Sequence, residues 1–137
     1  MTTNDFIRQY KNSGQFNYYQ MEEIRGGFVQ GLTIEQVKIY CDHKFNGLQI
    51  NEIRWGFIDG LTMEQVRVYT NPEFSWEQMG QIRRGFENGL TINQVKLYAI
   101  SEFNDEQMYK IRKFIKENDI TDMSTKTIKF LLGIDCI

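Results

Sequence analysis

The sequence predicts an all-α fold, a short α-solenoid of tandem αα-hairpins with a capping helix at each end. Three observations carry this. A pattern starting at Phe16 returns at Phe45, Phe74 and Phe103, each start 29 residues after the one before. Each period holds two amphipathic stretches opening on the same capping signature. The first stretch stops at glycine. A fixed period of this length marks a repeat architecture, in which each unit buries its apolar face against the next.

The first helix of each unit opens at a capping box. Asn17 is the cap and Gln20 lies three residues on, while Phe16 before the cap and Met21 at the fourth helical position form a hydrophobic staple. The same grammar returns as Phe45-Asn46 with Gln49-Ile50, Phe74-Ser75 with Gln78-Met79, and Phe103-Asn104 with Gln107-Met108. Each cap oxygen satisfies an orphan helix N–H, worth about 1 kcal/mol. Apolar residues follow at spacings of three and four: Met21, Ile24, Phe28; Ile50, Ile53, Phe57; Met79, Ile82, Phe86; Met108, Ile111, Ile115. That spacing is one face of an α-helix. Gly31, Gly60 and Gly89 end the helix, because glycine takes the left-handed conformation without a Cβ penalty; Asn118 holds the place in the last unit.

The second helix starts at once, with Leu32-Thr33 and Gln36-Val37, Leu61-Thr62 and Gln65-Val66, and Leu90-Thr91 and Gln94-Val95. It is expected to run two to three turns and end near Tyr40, Tyr69 and Tyr98. Before the first unit, Thr3, Ile7, Arg8 and Tyr10 match Thr33, Val37, Lys38 and Tyr40, so residues 1–15 are expected to be a half-repeat cap. Repeats at 16–44, 45–73 and 74–102 follow, then a divergent fourth unit and C-terminal cap over 103–137, all in one domain. A helix from about Ser124 to Leu132 should stop at Gly133, and Ile134, Cys136 and Ile137 should fold back as an apolar tail.

Composition narrows the function. Aromatic content is 14% and there is one proline, which argues against disorder. The formal charge of −2 argues against a strongly basic binder of nucleic acid or anionic membrane. No apolar run approaches the roughly 20 residues of a membrane span, and Met1–Tyr10 is polar, so a soluble cytoplasmic protein is expected. Cys41 and Cys136 form neither a C-x-x-C pair nor a disulfide framework. No metal-ligand spacing and no phosphate-cradling loop is present. His43, the sole histidine, falls in a loop, and Glu22, Glu23, Glu35, Glu52 and Glu64 take ordinary helix-surface positions. The reading is non-catalytic, with no cofactor and no metal.

Some positions recur without being plainly core. Arg25, Arg54, Arg83 and Arg112 follow the core isoleucine in every unit. They are either a basic ladder that meets phosphates or carboxylates, or ties between one unit and the next; recurrence in every unit favours ties. Gly27, Gly56 and Gly85 sit inside the first helix, where glycine costs about 1 kcal/mol against alanine, so close helix approach is expected there. Other positions vary from unit to unit: Tyr18, Gly47, Trp76, Asp105; Glu22, Asn51, Gly80, Tyr109; Gly26, Trp55, Arg84, Lys113. The last two sets lie four residues apart and share a stripe. Repeat scaffolds bind through such variable surface, and Trp, Tyr and Arg are enriched in interface hot spots. Tyr18, Tyr19, Trp55, Trp76, Arg84, Tyr109 and Lys113 are therefore the candidate contacts with a protein partner. The bland alternative is that the tryptophans fill gaps in the array.

Two resemblances bear on function. QIRRGFENGLTINQVKLYA, from Gln81 to Ala99, resembles the first two helices of a bacterial helix-turn-helix of the resolvase or invertase type. It implies DNA binding by tandem helix-turn-helix units, with Asn104–Ile115 as recognition helix. Asp105 and Glu106 at its start would face phosphates, and the link Ala99–Phe103 is longer than the usual turn. The whole pattern, Gln-Met-x-x-Ile-Arg-x-Gly-Phe-x-x-Gly-Leu-Thr-x-x-Gln-Val-x-x-Tyr over residues 16–115, is similar to short repeats in uncharacterised accessory proteins of phages and conjugative elements of low-GC bacteria. It implies a small mobile-element protein, a class that includes inhibitors of host defence nucleases such as anti-CRISPR proteins. Binding of a protein partner is the leading expectation and DNA binding the alternative; oligomeric state is open.

Overall fold

The computed structural model describes residues 1–134, and every regular element among them is a helix. The chain divides into two compact units, Met1–Pro72 and Glu73–Ile137. Asp135, Cys136 and Ile137, and with them the expected apolar tail, lie outside the described residues.

The first unit holds α1 (Thr3–Ser13), α2 (Tyr18–Val29), α3 (Ile34–Tyr40), α4 (Gly47–Ile58) and α5 (Met63–Arg67). α2 packs against α1, α3 and α4, and α4 packs also against α3 and α5. The second holds α6 (Trp76–Glu87), α7 (Ile92–Lys96), α8 (Asp105–Asn118) and α9 (Thr125–Leu132), with α6 against α7 and α8, and α8 against α9. The apolar spacing read from sequence is the core of both: Ile24, Ile50, Ile53, Val37 and Val66 in the first, and Met79, Ile82, Val95, Met108, Ile111 and Ile115 in the second, all have no exposed surface.

Helix starts follow the expected chemistry. Reciprocal capping boxes form at Asn17, Thr33, Asn46, Thr62, Ser75, Thr91 and Asn104. The stops at Gly31, Gly60 and Gly89 have φ near +90°, and in the first of them Leu32 N–H reaches back to Gly27 O at 2.9 Å. That six-to-one bond closes a Schellman turn, which only a left-handed residue allows.

Four expectations need correction. The cap of α1 is Thr2, not Thr3, since Thr2 exchanges hydrogen bonds with Asp5. The register moves by one, and Phe6, rather than Ile7, takes the buried place that Val37 holds in α3. Asn118 does not turn left-handed: α8 runs one residue further and Asp119 does so, at φ +47°. Ile120 N–H still reaches Ile115 O at 3.1 Å; against Leu32-Thr33, Ile120-Thr121 stands one residue later in its unit, so the same closing bond forms one position further on. The second helices are shorter than two to three turns in α5 and α7, five residues each. Their last turns tighten to three-residue bonds, Tyr69 N–H to Val66 O and Tyr98 N–H to Val95 O, each 3.1 Å or less.

The fourth correction concerns the mid-helix glycines. The close approach there is made by side chains of the segment that follows, above all a tyrosine. A Cβ on Gly27, Gly56 or Gly85 would collide with the hydroxyl of Tyr40, Tyr69 or Tyr98 respectively. Each hydroxyl uses that gap to donate to a helix carbonyl: Tyr40 to Glu23 O at 3.3 Å, Tyr69 to Glu52 O at 3.1 Å, Tyr98 to Gln81 O at 2.8 Å. The tyrosines are fully buried, and a buried hydroxyl without a partner is costly. In α9, seven residues past its cap Ser124, Leu131 stands where the other second helices carry tyrosine. No hydroxyl needs room, and Phe114 can replace glycine in α8.

Candidate functional site

The surface follows from which positions the core consumes. Among the described residues, the exposed tyrosines and tryptophans are Tyr18, Tyr19, Trp55, Trp76 and Tyr109, and each sits where the residue type changes from one 29-residue segment to the next. The recurring tyrosines Tyr40, Tyr69 and Tyr98 are buried.

In the first unit, Tyr18 and Tyr19 open α2, about 70% exposed and edge to face with ring centroids 5.7 Å apart. Tyr19 lies against Gly47, where a Cβ would be only 3.2 Å from its own. Together with Asn17, Glu23, Asn46, Leu48 and Asn51 these residues line a groove of about 690 Å³ between α2 and α4. Leu48, more than half exposed, forms part of its apolar wall and was not picked out from sequence. Trp55 is 37% exposed, with the Arg54 guanidinium 5.9 Å from its ring centre.

In the second unit, Trp76 opens α6 at 42% exposed, and Tyr109 keeps 45% of its surface on α8. Arg112 lies 5.3 Å over the Tyr109 ring. Arg84 and Lys113 are exposed, and Lys113 Nζ is 3.9 Å from Glu117. Trp55 and Trp76 are each part covered and part open to solvent.

Most of the arginine ladder is engaged inside the protein. Arg54 on α4 reaches back to Glu23 on α2, Nε to Oε2 3.0 Å, while Asn51 donates to the same carboxylate at 3.3–3.4 Å. The Arg54 N–H does not point along that line, so the contact is Coulombic rather than a directed hydrogen bond. Gly26 is glycine for this arginine, whose guanidinium occupies the space a Cβ would need. Arg112 on α8 holds Gln81 on α6 through two hydrogen bonds of 3.1 and 3.2 Å. Arg83 pairs with Glu87 at 2.6 Å and Arg25 with Glu22 at 2.8 Å, both along their own helix.

Four of the capping glutamines do more than cap. Gln20 Nε2 donates to the carbonyls of His43 and Phe45, Gln49 to that of Pro72, and Gln78 to those of Ser101 and Phe103. Gln94 likewise reaches Ile120 O at 2.8 Å. One side chain therefore closes a helix start with its oxygen and holds the next connection with its nitrogen. The signal was partial: every capping box with a side chain of this length uses Gln, although Glu caps as well, but Gln36, Gln65 and Gln107 bond only their caps. Glutamate has no donor for the second task.

The remaining reactive groups are few. His43 and Asp42 are 3.9 Å apart and both exposed. Burial pushes the Cys41 thiol up to about 12, with Asp42 adding to the effect. Burial likewise raises Tyr40 and Tyr98 well above the usual phenol range. Among the described residues no three His, Cys, Asp or Glu gather as a metal site, and no helix is long and apolar enough to cross a membrane.

Comparison with family models, with curated proteins and with solved structures finds no match.

Proposed function

We propose that this protein is a non-catalytic scaffold of tandem αα-hairpins that binds a protein partner through its non-recurring surface positions. One observation carries the reading: the exposed tyrosines and tryptophans among the described residues occupy positions that change, while the positions that recur are largely spent on the core and its ties. Core demand explains recurrence. It does not explain keeping Tyr18, Tyr19, Trp55, Trp76 and Tyr109 in water, and large amphipathic rings supply contact area at low entropic cost. The engagement of Arg54 and Arg112 with Glu23 and Gln81 favours ties over a phosphate-binding ladder. On the likeness of the repeats to phage and conjugative-element proteins, the partner is a host defence protein and this chain its inhibitor.

The test is capture from a host lysate, split and run with and without nuclease. One protein recovered in both halves supports the scaffold reading, and that protein names the target. Recovery of nucleic acid that vanishes with nuclease would replace it with helix-turn-helix DNA binding. Tyr19→Ala with Trp55→Ala should then weaken partner binding by about 2 kcal/mol or more, as hot-spot aromatics do, with helicity unchanged.

A further inference from the structure

The outward face of the second unit differs in kind from the aromatic surface of the first. On α6 it presents Arg84, with the exposed Glu87 one turn on; on α8 it presents Tyr109, Lys113 and Lys116. Two contacts put these on one surface. Arg112 bonds Gln81, and Lys116 Nζ lies 3.9 Å from where a Cβ on Gly89 would stand, so the last turns of α8 run beside those of α6 with Lys116 leaning over the gap. Arg84 has no ion-pair partner among the described residues, and Lys113 has only the distant, exposed Glu117.

Helix stability alone accounts poorly for this charge. Cations do favour the last turn of a helix, and Arg84 and Lys116 sit there. Yet α2 and α4, built on the same pattern, carry no basic residue in their last turns. Lys113 precedes the last turn. Positions equivalent to Arg84, Lys113 and Lys116 hold Gly26, Trp55, Val29 and Ile58 in the first unit.

We infer that the face formed by Arg84, Tyr109, Lys113 and Lys116 docks an acidic polypeptide segment of the partner, a refinement that rests on the partner reading above. The planar guanidinium of Arg84 can take a carboxylate in two parallel hydrogen bonds, and the two ammonium groups take single carboxylates as point charges. Tyr109, its ring already backed by Arg112, offers an apolar floor for the stem of an acidic side chain. Nucleic acid suits the face less. Glu77, Asp105 and Glu106 stand in the first turns of the same two helices, where a polyphosphate strand running along the face would meet them. A short acidic segment covers only the basic end.

The test uses the full chain and two labelled probes, an oligo-glutamate peptide and oligothymidylate, followed by fluorescence anisotropy at low and physiological salt. The expected result is binding of the peptide in preference to the oligonucleotide, weakening as salt rises, and lost about tenfold or more in Arg84→Glu with Lys113→Glu, since charge reversal across a complementary contact is repulsive. Circular dichroism checks that this variant is folded; both sites are exposed, and Arg84→Gln with Lys113→Gln serves if it is not. Lys38→Glu with Lys44→Glu, in the first unit, should leave peptide binding unchanged. Equal loss in that control, preference for the oligonucleotide, or no peptide binding overturns the inference. Capture of the partner at full strength by the Arg84→Glu, Lys113→Glu protein also overturns it while leaving the scaffold reading intact.

Discussion

Gly85→Ala is the sharpest test of how these helices are held. An ordinary mid-helix glycine gains about 1 kcal/mol on conversion to alanine. Here the new methyl would occupy the space of the Tyr98 hydroxyl, with the ring Cζ and Val95 Cγ2 both at 3.2 Å. The hydroxyl must leave its 2.8 Å bond to Gln81 O, and Tyr98 is buried beyond the reach of water. A buried donor left unpaired costs about 1–3 kcal/mol and overpacking a similar amount. After the propensity gain, the variant should lose about 2 kcal/mol, or roughly 6 °C in melting temperature for a chain of this size. Tyr98→Phe alone should lose about 1 kcal/mol for its hydrogen bond. In the double variant the colliding oxygen is gone, so the two losses should not add; a favourable coupling of about 2 kcal/mol is expected. Urea denaturation followed by circular dichroism on the four proteins closes the cycle. Gly85→Ala as stable as wild type, or losses additive within about 0.5 kcal/mol, would refute the pairing of glycine with hydroxyl.

Three further outcomes follow from the same geometry. Gln78→Glu should destabilise by about 1–3 kcal/mol, because its donor to the Ser101 and Phe103 carbonyls becomes a repelling carboxylate oxygen. Gln36→Glu, which serves only the cap at Thr33, should be near neutral in the same denaturation assay. Folding stability should fall as pH rises above about 10. Tyr40 and Tyr98 have folded pKa values raised above the unfolded phenol value, so the unfolded chain sheds those protons first and alkali favours it. Their contribution is whole below pH 10 and is lost above it, each adding a slope of up to about 1.4 kcal/mol per pH unit; a flat profile to pH 11 would contradict this. In a Cys136→Ser background, Cys41 should react slowly with a thiol reagent at pH 8 and speed up on adding urea, since burial keeps the thiol protonated. Immediate reaction without urea would show the site open.

The period, the helix starts and stops and the apolar face were all legible along the chain, because each is a local rule. A cap, a staple and a left-handed stop involve residues within six of one another, and they recur often enough to be read as grammar. The outliers had local causes too: Asp119 displaces Asn118 because one inserted residue carries the same closing bond one step further.

What the sequence could not show by itself was the second task of residues whose first task was evident. Gln20 and Gln78 read as caps, and only packing brings carbonyls 23 to 25 residues away to their amide nitrogens. Gly85 reads as a point of close approach, and only the tertiary structure names the hydroxyl that fills it. Gly26 sits in a column of varying residues, yet it is set by Arg54 from the next first-type helix. Exposure was equally a tertiary matter: helical spacing puts Trp55 and Arg84 at equivalent places, but whether such a place meets water depends on neighbours in space. Local propensity selects the elements. Long-range contacts, whose partners no spacing rule reveals, decide which side chains remain exposed.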